Sequence, residues 1–222
     1  VVEAQVERFV RKHARRKSTA LVPELHVFIG GDPTPLWHAT QAFMIENDLA
    51  KAPTMDPPYW AYAWAGGQAL ARYVLDHPKV VRGKSVLDVA SGGAIEGVAA
   101  ALAGAKRVVC ADLDPMAEHV ARMNAAENGV HLEAITKDAT TLDAASFDVV
   151  FAGDVFYEAT MVAGLFPWLR SCSKRALVLA ADPGRKYAPK QHAAELARYL
   201  VKTDLVLEGR PSKETRVYRI TA

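Results

Sequence analysis

Val86-Leu-Asp-Val-Ala-Ser-Gly-Gly-Ala-Ile-Glu96 is the stretch on which the fold turns. It opens as a short apolar run, the pattern of a strand buried on both faces, and passes into a turn of small residues at Ser91-Gly92-Gly93. Ala111-Asp-Leu-Asp114 then closes the next expected strand. A glycine-rich turn after one strand and a carboxylate at the tip of the next describe a nucleotide-cofactor pocket. Backbone amides face the ligand at the turn, and the acid receives ribose hydroxyls.

The turn departs from the dinucleotide pattern in an informative way. In G-x-G-x-x-G the glycines bring a pyrophosphate against a helix N-terminus. Here Ala90 and Ala94 replace the outer glycines, and Asp88 places a negative charge at the strand end, where it would oppose a pyrophosphate. The acid suits a positively charged cofactor, and S-adenosylmethionine carries a sulfonium and an ammonium. Asp112 is the better ribose ligand because it sits nearer the strand end. Asp114 precedes Pro115 and reads equally well as a helix cap.

Outward from this unit the pattern alternates. Strands are expected near 85–90, 107–112, 130–135, 147–152 and 176–181, with helices near 94–103, 115–128, 158–170 and 189–201. Short apolar strands alternating with helical segments imply an α/β fold with a parallel sheet covered on both faces. Residues 204–208 and 215–221 flank Gly209-Arg-Pro-Ser-Lys213 and read as a hairpin-like return at the sheet edge. Ahead of the alternating part, a helix is expected over 1–16, an extended piece over 19–29, a short helix over 35–47, a proline-rich connector over 51–58 and a helix over 67–75. The organisation expected is therefore an N-terminal helical extension and connector (1–58) followed by one cofactor-binding domain (59–222).

Composition narrows the function. The chain has 222 residues, 50% of them hydrophobic, enough for a full core, and a net charge of +2 gives no general field for nucleic acid. The local exception is Arg8 to Lys17, where Arg8, Arg11, Lys12, Arg15, Arg16 and Lys17 cluster. It reads as a solvated basic helix, or as a contact for an acidic partner or a phosphate backbone. Cys110 and Cys172 lack any surrounding ligand cluster, so no metal site is expected and a reducing compartment is. No apolar run is long enough to span a membrane.

Ligands of a doubly wound sheet bind beyond the carboxyl ends of its strands. That rule gathers Asp88, Gly92, Asp112, Asp138, Asp154 and Asp182 on one rim. Asp138 is placed for an adenine amine, or as a turn cap. In Gly153-Asp-Val-Phe-Tyr-Glu158, Asp154 can orient an incoming ammonium, and Phe156 and Tyr157 can form an aromatic wall that favours a cation. Phe156 packing under the next helix and Glu158 capping it are the structural alternatives. Asp56-Pro-Pro-Tyr59 matches a tetrapeptide with which amino-group methyltransferases of nucleic acids hold a flipped base, but it precedes the glycine turn, and proline stiffness beside stacked aromatics explains it as well. Trp60, Tyr62 and Trp64 are expected to close over the cofactor or to pack in the core.

Four blocks together carry a resemblance: Pro57 to Asp76, Asp88 to Ala94, Ala111 to Pro115 and Gly153 to Tyr157. The chain resembles the seven-strand S-adenosylmethionine-dependent methyltransferases, and within them the branch of protein lysine methyltransferases that acts on the electron-transfer flavoprotein beta subunit. The resemblance implies a Rossmann-like seven-stranded sheet with its last strand antiparallel. It implies Asp88 and Gly92 at the cofactor's methionine end, Asp112 at the ribose and Trp64 alongside; Ala90, Ser91 and Asp138 are expected to bind the cofactor with them. By the resemblance Asp154 and Tyr157 fall at the lysine and the block from Asp182 to Arg185 shapes the substrate entrance; Phe156 and Glu158 are expected on the substrate side from their place beside Asp154. A monomer working on protein rather than on nucleic acid or membrane is expected, cytoplasmic or in the mitochondrial matrix of a eukaryote. A nucleic-acid or small-molecule amino-group methyltransferase is the second reading, and a binding module without turnover the third.

Overall fold

The computed structural model describes residues 2–50 and 56–222, so most of the expected connector, 51–55, lies outside the described residues. The elements in order are α1 (Val2–His13), β1 (Ala14–Lys17), β2 (Val27–Gly30), α2 (Pro33–Glu46), α3 (Ala65–Asp76), β3 (Ser85–Val89), α4 (Ile95–Leu102), β4 (Arg107–Asp112), α5 (Pro115–Glu127), β5 (Glu133–Thr136), β6 (Val149–Gly153), α6 (Ala159–Cys172), β7 (Leu177–Asp182), β8 (Ala193–Lys202), α7 (Leu205–Glu208) and β9 (Ser212–Ile220).

The seven strands β3 to β9 form one sheet in the order β5-β4-β3-β6-β7-β9-β8. Strands β3 to β7 pair in parallel, and the last strand, β9, lies antiparallel between β7 and β8. The Rossmann-like α/β class and the antiparallel last strand are as expected. Core residues pack on both faces. One cluster joins α3 and α4 to the sheet through Leu70, Val74, Val98 and Phe151, and the other joins α6 through Leu87, Val150, Leu165 and Leu169. Where helices start, the chain supplies the caps: Asp32 accepts from the Thr34 amide with Pro33 in the first turn, and Asp114 accepts from the Met116 amide with Pro115 in the first turn.

Three local expectations fail. The helix expected over 189–201 is instead β8, paired with β9 from Ala193 to Lys202. Ala193-Ala-Glu-Leu-Ala-Arg198 has strong helix propensity, and cross-strand pairing overrides it. The strand expected over 204–208 is the short helix α7, because Asp204 accepts from the Val206 amide at 2.8 Å and starts a helical turn. The first helix ends at His13, and Ala14–Lys17 pairs with Val27–Gly30 as a two-stranded ribbon.

The N-terminal elements share a core with the sheet domain: Val6, Phe9, Val10, Phe28, Leu36 and Met44 pack with Trp60, Met116 and Val120. Asn124, fully buried on α5, ties them to the glycine turn. Its Oδ1 accepts from the Phe28 amide and its Nδ2 donates to the Gly93 carbonyl, both at 2.8 Å.

Candidate active site

Strand order reverses around β3, and a cavity of about 1110 Å³ opens there beyond the strand ends. Its floor is the turn from Ala90 to Glu96. Ala90, Gly92 and Ala94 have φ of 52°, 50° and 57°, so the turn keeps a left-handed backbone although two of its positions are alanine. Each alanine bears about 1 kcal/mol of strain for this. Asp112, at the end of β4, locks the turn from the side: its Oδ2 accepts from the Gly92 amide at 2.8 Å and its Oδ1 from the Asp114 amide at 3.0 Å. Burial raises the Asp112 carboxyl and these amides draw it back. Asp114 is the cap of α5, with its carboxyl lifted by burial to about 6.

The other end of the cavity is built on Asp154, the first residue after β6, itself left-handed at φ 59°. Asp154 Oδ2 accepts from the Gly67 amide at 2.8 Å, and Oδ1 accepts from the Arg185 guanidinium. Burial raises this carboxyl and Arg185 opposes the rise. Arg185 also reaches Asp182 at 3.4 Å and Glu208 at 3.6 Å. Asp182 accepts from the Gly184 and Arg185 amides at 2.7 and 2.6 Å, which folds the loop that aims Arg185 at Asp154. Above them lie aromatic rings. Tyr157, 44% exposed, stands 5.6 Å from Tyr59, which is 6.0 Å from Trp64, and the Trp64 indole donates to the Tyr59 carbonyl at 2.9 Å. Burial raises both tyrosine hydroxyls above their ordinary value.

Trp64, Ala90, Ser91, Gly92, Asp112, Asp138, Asp154, Tyr157, Glu158 and Arg185 all line the cavity. Asp138 does so while accepting from the Thr140 amide at 2.8 Å, so ligand contact and turn cap coexist. Glu158 begins α6 without a side-chain cap bond. Asp88, Phe156 and Asp182 are not brought to the cavity. Asp88 is fully buried beneath α4, where it accepts from the Gly97 amide at 3.1 Å, and burial together with Glu96 pushes its carboxyl well above the usual range. Phe156, 1% exposed, belongs to the α6 core and meets Phe166 edge-on. Asp182 acts through the Arg185 loop.

The cavity-facing carboxylate at this end of the turn is Glu96, which the sequence reading did not single out. It sits in the first turn of α4, 4% exposed, between Gly153 and Gly67. A Cβ on Gly153 would overlap Glu96 Oε1, and one on Gly67 would fall 2.8 Å from Oε2, so both glycines exist to make room for it. Burial lifts its carboxyl to about 7, and Asp154 adds to the rise. The available signal was Gly67 and Gly153 themselves, neither of which has positive φ. Among the described residues, no three His, Cys, Asp or Glu side chains gather to hold a metal ion, and no helix is long and apolar enough to cross a membrane.

Residues 68–166 match the family model of ribosomal protein L11 methyltransferase (PrmA). The electron transfer flavoprotein beta subunit lysine methyltransferase of Xenopus laevis is 31% identical over 198 residues, 86% of this chain and 77% of that protein. The chain belongs to the electron transfer flavoprotein beta subunit lysine methyltransferase family. Its Rattus norvegicus member is 42% identical over 131 residues, 58% of this chain, and the match spans about half (51%) of that protein's length. The sheet also superposes on the ribosomal protein L11 methylase of Lactobacillus delbrueckii subsp. bulgaricus with a TM-score of 0.51 at 18% identity, covering 72% of this chain and 81% of that one. Family membership bears out the resemblance read from the four sequence blocks.

Proposed function

We propose that the chain is an S-adenosylmethionine-dependent protein lysine N-methyltransferase whose substrate is the electron-transfer flavoprotein beta subunit. The observation that carries the chemistry is a cavity with carboxylates at its deep end, Glu96 and Asp154, beneath the rings of Tyr59, Trp64 and Tyr157. Such a cavity favours cations by charge and by the ring quadrupoles, and both the cofactor's sulfonium and a lysine ammonium are cations. The names of the relatives supply the lysine and the flavoprotein.

The residues present fit the cofactor. Asp112 keeps lone pairs for ribose hydroxyls after accepting two amides, the Ala90–Gly92 turn offers a close backbone surface, and Asp138 stands beside Asp112 on the rim. Bound there, S-adenosylmethionine supplies an electrophilic methyl group. The chain then has to place an amine in line with it and keep water out. Asp154, held by Gly67 and paired with the Arg185 guanidinium, is fixed in place and orients the incoming ammonium through a charge-assisted hydrogen bond. Arg185 leaves part of the Asp154 acceptor capacity free, so substrate joins this pair rather than replacing it. The ammonium has to lose its proton before transfer, and the exposed edge of Tyr157 opens the cavity to solvent while the aromatic wall shields the neutral amine. The same reading carries a monomer working in the cytoplasm, or in the mitochondrial matrix of a eukaryote, with no nucleic-acid partner.

Transfer of labelled methyl groups from S-adenosylmethionine to the purified flavoprotein heterodimer tests this. Protease-sensitive label on the beta subunit, mapped to lysine by mass spectrometry, is expected. Nuclease-sensitive label from an extract, with none on the heterodimer, would move the activity to nucleic acid. Asp154→Asn should lower turnover at least tenfold and leave the cofactor Kd within about twofold, since the amide keeps the shape and loses the charge.

A further inference from the structure

The acids around the cavity are not equivalent. Asp154 and Asp182 share Arg185, Asp112 already accepts from two backbone amides, and Asp88 lies off the cavity. Glu96 is buried, lines the cavity, and among the described residues has no cationic partner. What draws its carboxyl back down is backbone, its own amide and that of Gly153. A buried carboxylate kept in a slot cleared by two glycines, without a counter-ion, is set for one that arrives with a ligand.

Position says which charge. The ribose site at Asp112 is on β4, the glycine turn follows β3, and Glu96 rests against Gly153 at the end of β6. The sheet order β4-β3-β6 puts Glu96 on the far side of the turn from Asp112. A ligand anchored by its ribose and crossing the turn presents its amino-acid end to Glu96. Resting on the reading of the cavity as an S-adenosylmethionine site, we propose that Glu96 is the counter-ion of the α-ammonium group of the cofactor's amino-acid portion.

Protonation couples to this. The titratable groups facing Glu96 are Asp88 from β3, the buried Cys110 thiol from β4 and Asp154 from the end of β6; Arg185, from the loop after β7, is engaged by Asp154, and the nearby α3 residues Gly66, Gly67 and Gln68 carry no charge. With its carboxyl at about 7, Glu96 in the empty site carries a proton part of the time at neutral pH. Pairing with an ammonium requires that proton to leave, so affinity falls as pH drops through this range.

Calorimetry on the full chain with two probes decides it: S-adenosylhomocysteine, which has the amino-acid portion, and 5′-methylthioadenosine, which shares the adenosine and sulfur and lacks it. The homocysteine ligand should bind about tenfold more weakly at pH 6 than at pH 8, with proton uptake or release seen as a dependence on buffer ionisation heat. Glu96→Gln should weaken it about tenfold or more at pH 8 and flatten the pH dependence, while methylthioadenosine binding stays within about twofold. A Glu96→Gln protein that binds both probes like the wild type overturns the assignment, and so does equal loss for both probes. If the wild type binds methylthioadenosine and S-adenosylhomocysteine with the same affinity and no pH dependence, the counter-ion role fails while the nucleoside site stands. If it binds neither, the cofactor reading itself falls, and this proposal with it. Unchanged melting temperature and circular dichroism of the variant at pH 8 exclude misfolding as the cause.

Discussion

The strands β3 to β7 and the pair β8–β9 belong to one sheet and are specified in different ways. β6 is buried from Val149 to Ala152, with neighbours on both sides and helices on both faces. β8, at the edge, buries one residue, Val201, and leaves Leu200 72% exposed. A strand buried on both faces must be apolar throughout, and that writes itself into the sequence. An edge strand takes its conformation from the neighbour it pairs with, and its composition is free to suggest a helix.

The contrast can be broken most forcefully from the inside. Phe151→Ala removes a fully buried ring at the centre of the parallel half and should cost about 3–5 kcal/mol, read from denaturant unfolding. A second effect comes from the acids crowded at the ends of the parallel strands. Burial raises the carboxyls of Asp88, Glu96, Asp112, Asp154 and Asp182 in the folded state. For an acid raised on folding, stability is fully present below its unfolded pKa and is lost as pH rises through the folded one. For Glu96 that window runs from the ordinary 4.5 to about 7, on the order of 3 kcal/mol. The unligated protein should therefore be more stable at pH 5 than at pH 8, and Glu96→Gln should reduce the difference. An unchanged slope in that variant would remove Glu96 from the account.

Smaller effects sharpen the comparison. Ala94→Gly relieves left-handed strain of about 1 kcal/mol at the cost of extra freedom in the unfolded chain, so unfolding should show a gain between zero and about 1 kcal/mol. At the edge, Leu200→Lys should change stability by less than about 0.5 kcal/mol, since the side chain is in water already, and should reduce aggregation during refolding.

The same logic separates what was legible in the candidate site. That the turn and Asp112 reach the cavity could be read because a doubly wound sheet gathers the residues after its strands at one rim, and backbone direction alone places them there. Asp88 falls off the cavity because a residue at a strand end can face either side of the sheet, and only the close packing of α4, through Gly97, on β3 and β4 shows that it turns inward. Phe156 does likewise: the left-handed Asp154 re-aims the following residues, sending Phe156 into the core and Tyr157 to the cavity. Glu96 was hidden because its partners, Gly67 and Gly153, come from two distant segments whose meeting no local pattern announces. The pairing of Arg185 with Asp154 spans 31 residues and is of the same kind.

Asn124 has a consequence for how the molecule breathes. One buried amide group holds the Gly93 carbonyl of the ligand turn with its nitrogen and the Phe28 amide of the N-terminal ribbon with its oxygen. A ligand that stills the turn should also slow the opening of the ribbon, whose Val27 and Phe28 line the same cavity. The exchange rate of the Phe28 backbone hydrogen with solvent should therefore fall on occupancy, and Asn124→Ala should weaken that response.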